Sequence, residues 1–435
     1  MAPSNLSTLL LKEQQCATGR LGNRRMVILS MALCTGFLLY AMTAFMAPRF
    51  RLSPGALWTG PSVPRGMHPL TSRGRAFIHE ACATSGDGAG KRYLVTGAAG
   101  FIGFHAAKQL KARGEVVIGL DNFNDYYPVS LKRARAQSLS GLGVPVLGLD
   151  LNDGPGVAEL FRLCPFTHVL HLAAQAGVRY AARNPLAYIQ SNLAGSVVLM
   201  EAMRAQQPMP SLVYASSSSV YGLSRRFPFA EDDRADQPAS LYAATKRGLE
   251  MLAHSYYNIY NMSVTGLRFF TVYGPWGRPD MSVMAFTRNI LDGKPIRVFQ
   301  GPNGTELARD FTFIDDIVSG VLASLDTSPP SADPKVKPAY RLYNLGNTQV
   351  HTVTEMVDTL QELLGAKAIV NYQPLGPTGD VLRTNANISL AHNDLGYTPR
   401  TNLRKGLEEF VKWYFAYYGP DGTRRSADEA GYIPD

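Results

Sequence analysis

Residues 91–103 read KRYLVTGAAGFIG. Tyr93, Leu94 and Val95 predict a short buried strand. Gly97, Gly100 and Gly103 follow at three-residue spacing, and the run from Phe104 to Ala112 can continue as a helix. Strand, glycine turn and helix in that order let the backbone approach a pyrophosphate and aim the free N–H groups of a helix start at it. The spacing alone fits an ordinary Gly/Ala-rich turn equally well. The next apolar run, residues 116–120, adds weight to the nucleotide reading because it ends at Asp121, eighteen residues past Gly103. A carboxylate there suits the adenosine ribose hydroxyls and disfavours a 2′-phosphate, which predicts NAD rather than NADP.

From this unit outward, strand-like apolar runs alternate with helical patterns. Candidate strands cover residues 93–96, 116–120, 144–149, 168–172, 211–215 and 264–269, and helical stretches include 105–113, 185–205 and 241–257. Six strands with crossover helices predict an α/β fold, a Rossmann-type doubly wound parallel sheet over residues 91–270. After Phe270 the alternation breaks up. Longer loops, helices at 282–291 and 354–364, and an amphipathic helix near 403–417 predict a smaller C-terminal substrate-binding region over 271–419, with a tail at 420–435.

The segment ahead of this unit has a different character. Residues 1–25 are polar and carry Lys12, Arg20, Arg24 and Arg25, whereas residues 26–46 contain no charge. At about 1.5 Å per residue, that run can cross a hydrocarbon core of about 30 Å. It is longer than the apolar region of a cleaved signal peptide. It therefore predicts one N-terminal transmembrane signal anchor, with residues 1–25 as a cytoplasmic tail and the remainder lumenal. Arg49 and Arg51, just past the span, pull against that orientation. Residues 47–90 hold Pro, Gly, Ser and Arg without sustained periodicity and read as a flexible stem.

Composition narrows the partners. The 435 residues are 46% apolar and carry a formal charge of +9. No long Lys/Arg block or aromatic-interleaved basic stripe accompanies that charge, which excludes nucleic acid as a partner. The four cysteines fit neither a zinc site nor a disulfide framework, and no metal is predicted. Cys82 and Cys164, the two beyond the apolar span, read as buried or free thiols rather than halves of a bridge.

The chemistry concentrates further on. Tyr242-Ala-Ala-Thr-Lys246 places a phenol and an ammonium at i and i+4, on one helix face. Such pairs are common on helices that do nothing with them. This one follows a nucleotide-type loop and a serine run, Ser216 to Ser219, at the end of the fifth predicted strand. Open α/β sheets bind ligands at such carboxyl ends. A free tyrosine has a pKa of about 10, so use as a base at neutral pH needs stabilisation of its anion. A neighbouring ammonium and a cationic nicotinamide ring supply it through charge proximity. A phenolate so held can remove a hydroxyl proton while hydride leaves the same carbon, with a serine hydroxyl relaying or orienting the proton.

Taken together, TGAAGFIG, Asp121, the HLAAQAGVR run at 171–179, YASSSSVYG at 214–222 and YAATK at 242–246 resemble an extended short-chain dehydrogenase/reductase of the NAD-dependent epimerase/dehydratase type. The resemblance covers about residues 91–419. It implies a tightly held NAD and a nucleotide-sugar substrate. It also implies that Tyr242 is the catalytic base, Lys246 its partner and holder of the nicotinamide ribose, and Ser217 the catalytic Ser/Thr. By the same resemblance, Gly97, Gly100, Phe101, Ile102, Gly103, Asp121, Asn122, Asn124, Asp150, Leu151, Leu172, Ala173, Ala174 and Asn192 are implied as cofactor-binding. It further implies a homodimer through paired helices, here 185–205 and 241–257.

Branches of that family differ just after Ser217. The dehydratases resemble Thr-Asp-Glu there and the decarboxylases carry a glutamate nearby, whereas this chain has Ser218 and Ser219. That pattern predicts simple epimerisation at C4. LDNFNDYY at 120–127 and RFFTVYGPWGRPDM at 268–281 resemble the branch acting on UDP-glucuronate. The implied substrate contacts are Arg278 for the sugar carboxylate, helped by Thr271 and by Ser216 or Ser218, with Arg309 and Asp380 at the UDP end. A guanidinium suits a carboxylate because the two match bidentately. Relatives often carry an arginine shortly before the aspartate at 380. Here the stretch is Gly376-Pro377-Thr378-Gly379-Asp380, and Arg383 is the candidate replacement. The rival readings are a UDP-galactose or UDP-pentose 4-epimerase and a non-catalytic lumenal nucleotide-sugar-binding protein. The expected location is the Golgi membrane.

Overall fold

The computed structural model describes residues 72–83, 90–376 and 379–419. All of them belong to one unit, Gly66–Asp435. Among the described residues no helix is long and apolar enough to cross a membrane. The predicted tail 1–25, anchor 26–46, most of the stem and the tail 420–435 lie outside them.

Seven strands form a wholly parallel sheet: β1 (Arg92–Thr96), β2 (Val116–Asp121), β3 (Val146–Gly148), β4 (His168–His171), β5 (Ser211–Ser217), β6 (Val264–Phe269) and β10 (Tyr340–Leu345). The spatial order is β10-β6-β5-β4-β1-β2-β3. The chain therefore reverses direction across the sheet between β1 and β4, which makes a crevice at the carboxyl ends of the strands. Strands covered by helices on both faces read as continuous apolar runs, as in YLV of β1 and VVIGL of β2.

β10 is the strand that sequence reading does not predict. Its segment, YRLYNL, carries Arg341 and Asn344 and does not look apolar. The fold satisfies both polar groups. Arg341, at the sheet edge, donates to the Thr327 and Ser324 carbonyls. The buried Asn344 side chain donates to the Phe229 and Asn387 carbonyls and accepts from the Tyr221 hydroxyl. Residues beyond 270 thus complete the nucleotide-binding sheet as well as building the second region.

That region has a three-stranded sheet, β7 (Thr271–Tyr273), β9 (Ala308–Phe313) and β11 (Val350–Thr352), and a two-stranded one, β8 (Pro295–Gln300) with β12 (Ile369–Pro374). Helices Ser282–Leu291, Val353–Leu364 and Leu403–Tyr418 pack around them. Arg135 ties the two regions together. It is fully buried and donates to the Ala99 carbonyl in the glycine turn and to the Trp276 and Gly277 carbonyls in the loop after β7. His105 holds the same loop through the Pro275 carbonyl at 2.9 Å.

Two expectations are corrected here. Part of the predicted stem, Ser72–Ala83, is a helix, and its Ile78 is completely buried in the core around β1 to β3. Cys82 and Cys164 are not separate thiols but a disulfide, which links this helix to the end of helix Gly154–Leu163. Arg75 adds an ion pair with Glu159 at 3.1 Å. The sequence offers no sign of the pairing because 82 residues separate the two cysteines and only the sheet brings them together.

Candidate active site

The glycine turn shows why those positions hold glycine. Gly97 has φ +69°, and a Cβ there would lie 2.8 Å from the Ala173 nitrogen. A Cβ at Gly103 would lie 2.1 Å from the Gly97 carbonyl oxygen. Helix Phe101–Ala112 therefore starts hard against β1 and β4, with Gly100 at its N-cap and no side chain satisfying its first N–H groups. Bare helix-start donors over a glycine cradle fit a diphosphate. Asp121 ends β2 with its carboxylate fixed by the Ala99 and Phe123 N–H groups at 3.2 and 2.9 Å. Asp150 accepts from Asn122 and Asn152, which sets its carboxylate beside the same crevice. These features fit NAD.

A single cleft of about 580 Å³ runs from the glycine turn into the second region. It is lined by every site residue expected from sequence except one. The exception is Asn192. Its side chain is buried, donates to the Gln175 carbonyl and Thr245 hydroxyl at 3.0 Å, and accepts from the Gln175 N–H at 2.8 Å. Asn192 sits in a π turn, Gln190–Ala194, and braces the loop after β4 against helix Leu241–Tyr260. It reaches the cofactor crevice through that loop and lines none of it.

Helix Leu241–Tyr260 begins at Ser240, whose side chain accepts from the Ala243 N–H. Capping there places Tyr242 in the first turn and Lys246 one turn on. Ser217, the last residue of β5, is hydrogen-bonded to the Tyr242 phenol. Burial raises the Tyr242 pKa, while the Arg278 charge and the Ser217 hydrogen bond pull it back down. Lys246 donates to the Ala215 carbonyl at 2.8 Å and lies 6.0 Å from the Tyr242 ring centre. Burial pushes its ammonium down to about 8. Phenol, serine and ammonium thus meet at the carboxyl end of β5, an arrangement able to move one proton at a bound hydroxyl.

The serine run divides. Ser218 and Ser219 follow β5 in a short turn at the cleft. Ser216, expected among the substrate contacts, has its hydroxyl committed to Glu250 Oε1 at 2.6 Å. Glu250 is fully buried and held by Arg268 and Arg247. Taking one partner from such a buried charge leaves it under-satisfied, so Ser216 stays where it is.

Arg278 lies in the loop after β7, with Thr271 at the start of that strand, and both line the cleft. Towards the other end, Arg309 lies 3.9 Å from Asp380, and Arg179 pairs with Asp380 at 2.9 Å. Burial lowers the Arg309 pKa; Asp380 opposes that and the Arg179 charge adds to it. Two guanidiniums around one carboxylate make this end of the cleft a natural seat for an anion. Arg383 does not fill the place of the missing arginine: its guanidinium lies over the Phe227 ring at 5.8 Å, away from the cleft lining.

Sequence reasoning missed Arg179 and Lys132. The first lies inside the quoted HLAAQAGVR run, and the mixed sign of the 380 region was the available hint. Lys132 is buried, donates to Asn124 Oδ1 at 2.5 Å and lies 4.0 Å from Asp121. Burial brings its ammonium down to about 8. On a helix of mixed polarity, nothing local marks it.

Comparison with known proteins agrees with this geometry. Residues 93–346 match the NAD dependent epimerase/dehydratase family. UDP-glucuronate 4-epimerase 1 of Arabidopsis thaliana is 56% identical over 330 residues, 75% of this chain and 77% of that protein. The crystal structure of UDP-glucuronic acid 4-epimerase from Bacillus cereus, in complex with UDP-glucuronic acid and NAD, superposes with a TM-score of 0.68 at 32% identity. It covers 75% of this chain and all of the other. UDP-glucose 4-epimerase of Thermus thermophilus, in complex with NAD, gives 0.63 at 30% identity over 74% and 98% of the two chains. With a bare glycine cradle, a Tyr242–Ser217–Lys246 cluster and matches of this extent, the chain belongs to the NAD-dependent epimerase/dehydratase family.

Proposed function

We propose that this protein is an NAD-dependent 4-epimerase that interconverts UDP-glucuronate and UDP-galacturonate. The observation that carries the reading is the placement of Arg278 and Thr271 in one cleft with Tyr242 and Ser217, with no acidic side chain directly after Ser217. The carboxylate-specific names and ligands of the relatives support it.

Tyr242 takes the C4 hydroxyl proton and returns it, and Ser217 keeps the phenol aligned. Bound NAD supplies a reversible acceptor for the C4 hydride, held by the glycine turn, Asp121, Asp150 and Lys246. Arg278 holds the C6 carboxylate. A carboxylate so paired is kept from leaving as CO₂ while C4 is a ketone. Arg309 and Arg179 neutralise the diphosphate, with Arg179 taking the part of the arginine missing before Asp380. Because hydride leaves and returns on the same carbon, the sugar is isomerised with no net redox change.

Arg278→Ala tests the substrate assignment. Charge-assisted bidentate contacts of this kind are worth several kcal/mol, so kcat/KM on UDP-glucuronate should fall on the order of 10²-fold. Binding of neutral UDP-sugars should be spared. Equal loss on both would return the protein to the UDP-galactose or UDP-pentose epimerases.

The setting is part of the same reading: a single-pass Golgi membrane protein with its catalytic region in the lumen. The uncharged segment 26–46 and the basic cluster before it favour this, and so does the Cys82–Cys164 disulfide, since such bonds persist in oxidising compartments. Proteolysis of the catalytic region in intact vesicles would rule out the orientation. Helix Leu241–Tyr260 leaves Met251 and Ile259 more than 60% exposed, and the neighbouring helix Pro185–Ile189 leaves Leu186 66% exposed. These faces suit a homodimer through a four-helix bundle. Sedimentation as a monomer at micromolar concentration would remove it.

A further inference from the structure

The loop after β7 presents Arg278 with one edge already occupied. Its Nε donates to Asp280 Oδ1 at 3.0 Å and its Nη2 donates to Asp280 Oδ2. The same Oδ2 accepts from the Tyr126 hydroxyl at 3.0 Å. Tyr126 comes from the loop after β2 and packs against Tyr180, with ring centres 4.8 Å apart. Gly177 makes room for it: φ is +97° there, and a Cβ would lie 2.3 Å from the Tyr126 hydroxyl oxygen. Three loops, each at the carboxyl end of a strand, therefore converge on one carboxylate, and that carboxylate serves one guanidinium.

A guanidinium offers two forks, Nε with Nη2 along its side and Nη1 with Nη2 at its end. Asp280 fills the first. We propose that Asp280 is a positioning residue for carboxylate recognition: it pins the side edge of Arg278, with Tyr126 pinning Asp280 in turn, so that the end fork alone faces the sugar. This rests on the reading of Arg278 as the uronate contact. It adds that selectivity for the uronate depends on an acid that never touches the substrate.

The idea has a counter-intuitive consequence that makes it testable. By charge alone, removing Asp280 should strengthen the hold on an anionic sugar, because Arg278 loses its neutralising partner. By orientation, removing it should weaken that hold, because the fork is no longer aimed. Binding of UDP-glucuronate and of neutral UDP-glucose to the full-length protein, measured by titration calorimetry for D280A, D280N, R278A and the D280A/R278A pair, separates the two.

The expected result is a rise of about tenfold or more in the UDP-glucuronate Kd for D280A, a smaller rise for D280N, whose amide oxygen still accepts one N–H, and a UDP-glucose Kd within about twofold of the unaltered protein. In the R278A background, D280A should add nothing, since its effect passes through Arg278. Tighter UDP-glucuronate binding by D280A would overturn the proposal. So would an equal loss on both sugars, or an undiminished loss in the R278A background, each of which marks a general structural role. An unaltered protein that binds and turns over UDP-glucose but not UDP-glucuronate would overturn the substrate reading beneath the proposal. If D280A does not fold, D280N carries the same comparison.

Discussion

Tyr242→Phe should abolish turnover, by on the order of 10³-fold or more in kcat, while NAD and UDP-sugars still bind. The substitution removes one oxygen and keeps the ring, whose edge-on packing against Tyr188 holds the start of the helix in place. The lost oxygen is the one hydrogen-bonded to Ser217 and reached by the Arg278 charge, and it is the proposed proton acceptor. No second base stands in for it. Lys246 is spent on the Ala215 carbonyl, and the nearby His171 is sealed between Thr96 and Ser196, where burial pushes its imidazole down to about 3. His171 is therefore neutral at pH 7, but its ring nitrogens are already engaged. The check is stopped-flow kinetics alongside calorimetry. Residual activity above about a tenth of the original would unseat Tyr242 as base. Loss of NAD binding would show that the phenol oxygen holds the cofactor as well.

Breaking the Cys82–Cys164 bond should cost about 2–5 kcal/mol of stability with little change in kcat. The bond closes a loop of 82 residues that holds β1, β2, β3 and helix Gly154–Leu163, so opening it enlarges the unfolded ensemble by a long segment. Cutting the chain at residue 91 should cost more. That removes Arg75 and its ion pair with Glu159, leaves Cys164 as a lone thiol, and opens the buried seat of Ile78 to water. No residue of helix Ser72–Ala83 lines the cleft, so the kinetics of the folded fraction should hold. Scanning calorimetry of a chain beginning at residue 66, with and without Cys82→Ser, and of one beginning at 91, makes the comparison. Equal Tm values for all three would mean that the helix and its disulfide are incidental to the fold.

How much could be read before the structure was seen depended on how local each signal is. The strands β1, β2, β5 and β6, the glycine turn and helix Leu241–Tyr260 lie where periodicity places them, because hydrophobic alternation, glycine spacing and capping act within a few residues. β10 escaped because its polar side chains are satisfied by residues 13 to 115 positions away. Asn192 and Ser216 carry the right residue types in the right runs, yet each spends its hydrogen bonds on a partner inside the protein: Asn192 on Gln175 and Thr245, Ser216 on Glu250. A motif specifies which groups are present. It does not specify which of them face the cleft.

The same division holds for the whole molecule. By itself, the sequence determined the order of strands and helices, the identity of the phosphate turn, the acid at the end of β2 and the Tyr242–Lys246 spacing, since each is set by backbone geometry over one or two turns. Only the tertiary structure decided that Arg179 and Arg309 share Asp380, that Asp280 and Tyr126 bracket Arg278, and that two distant cysteines meet. Those contacts join residues from different loops at the strand ends. Their energies depend on burial and distance, which exist only once the sheet has formed.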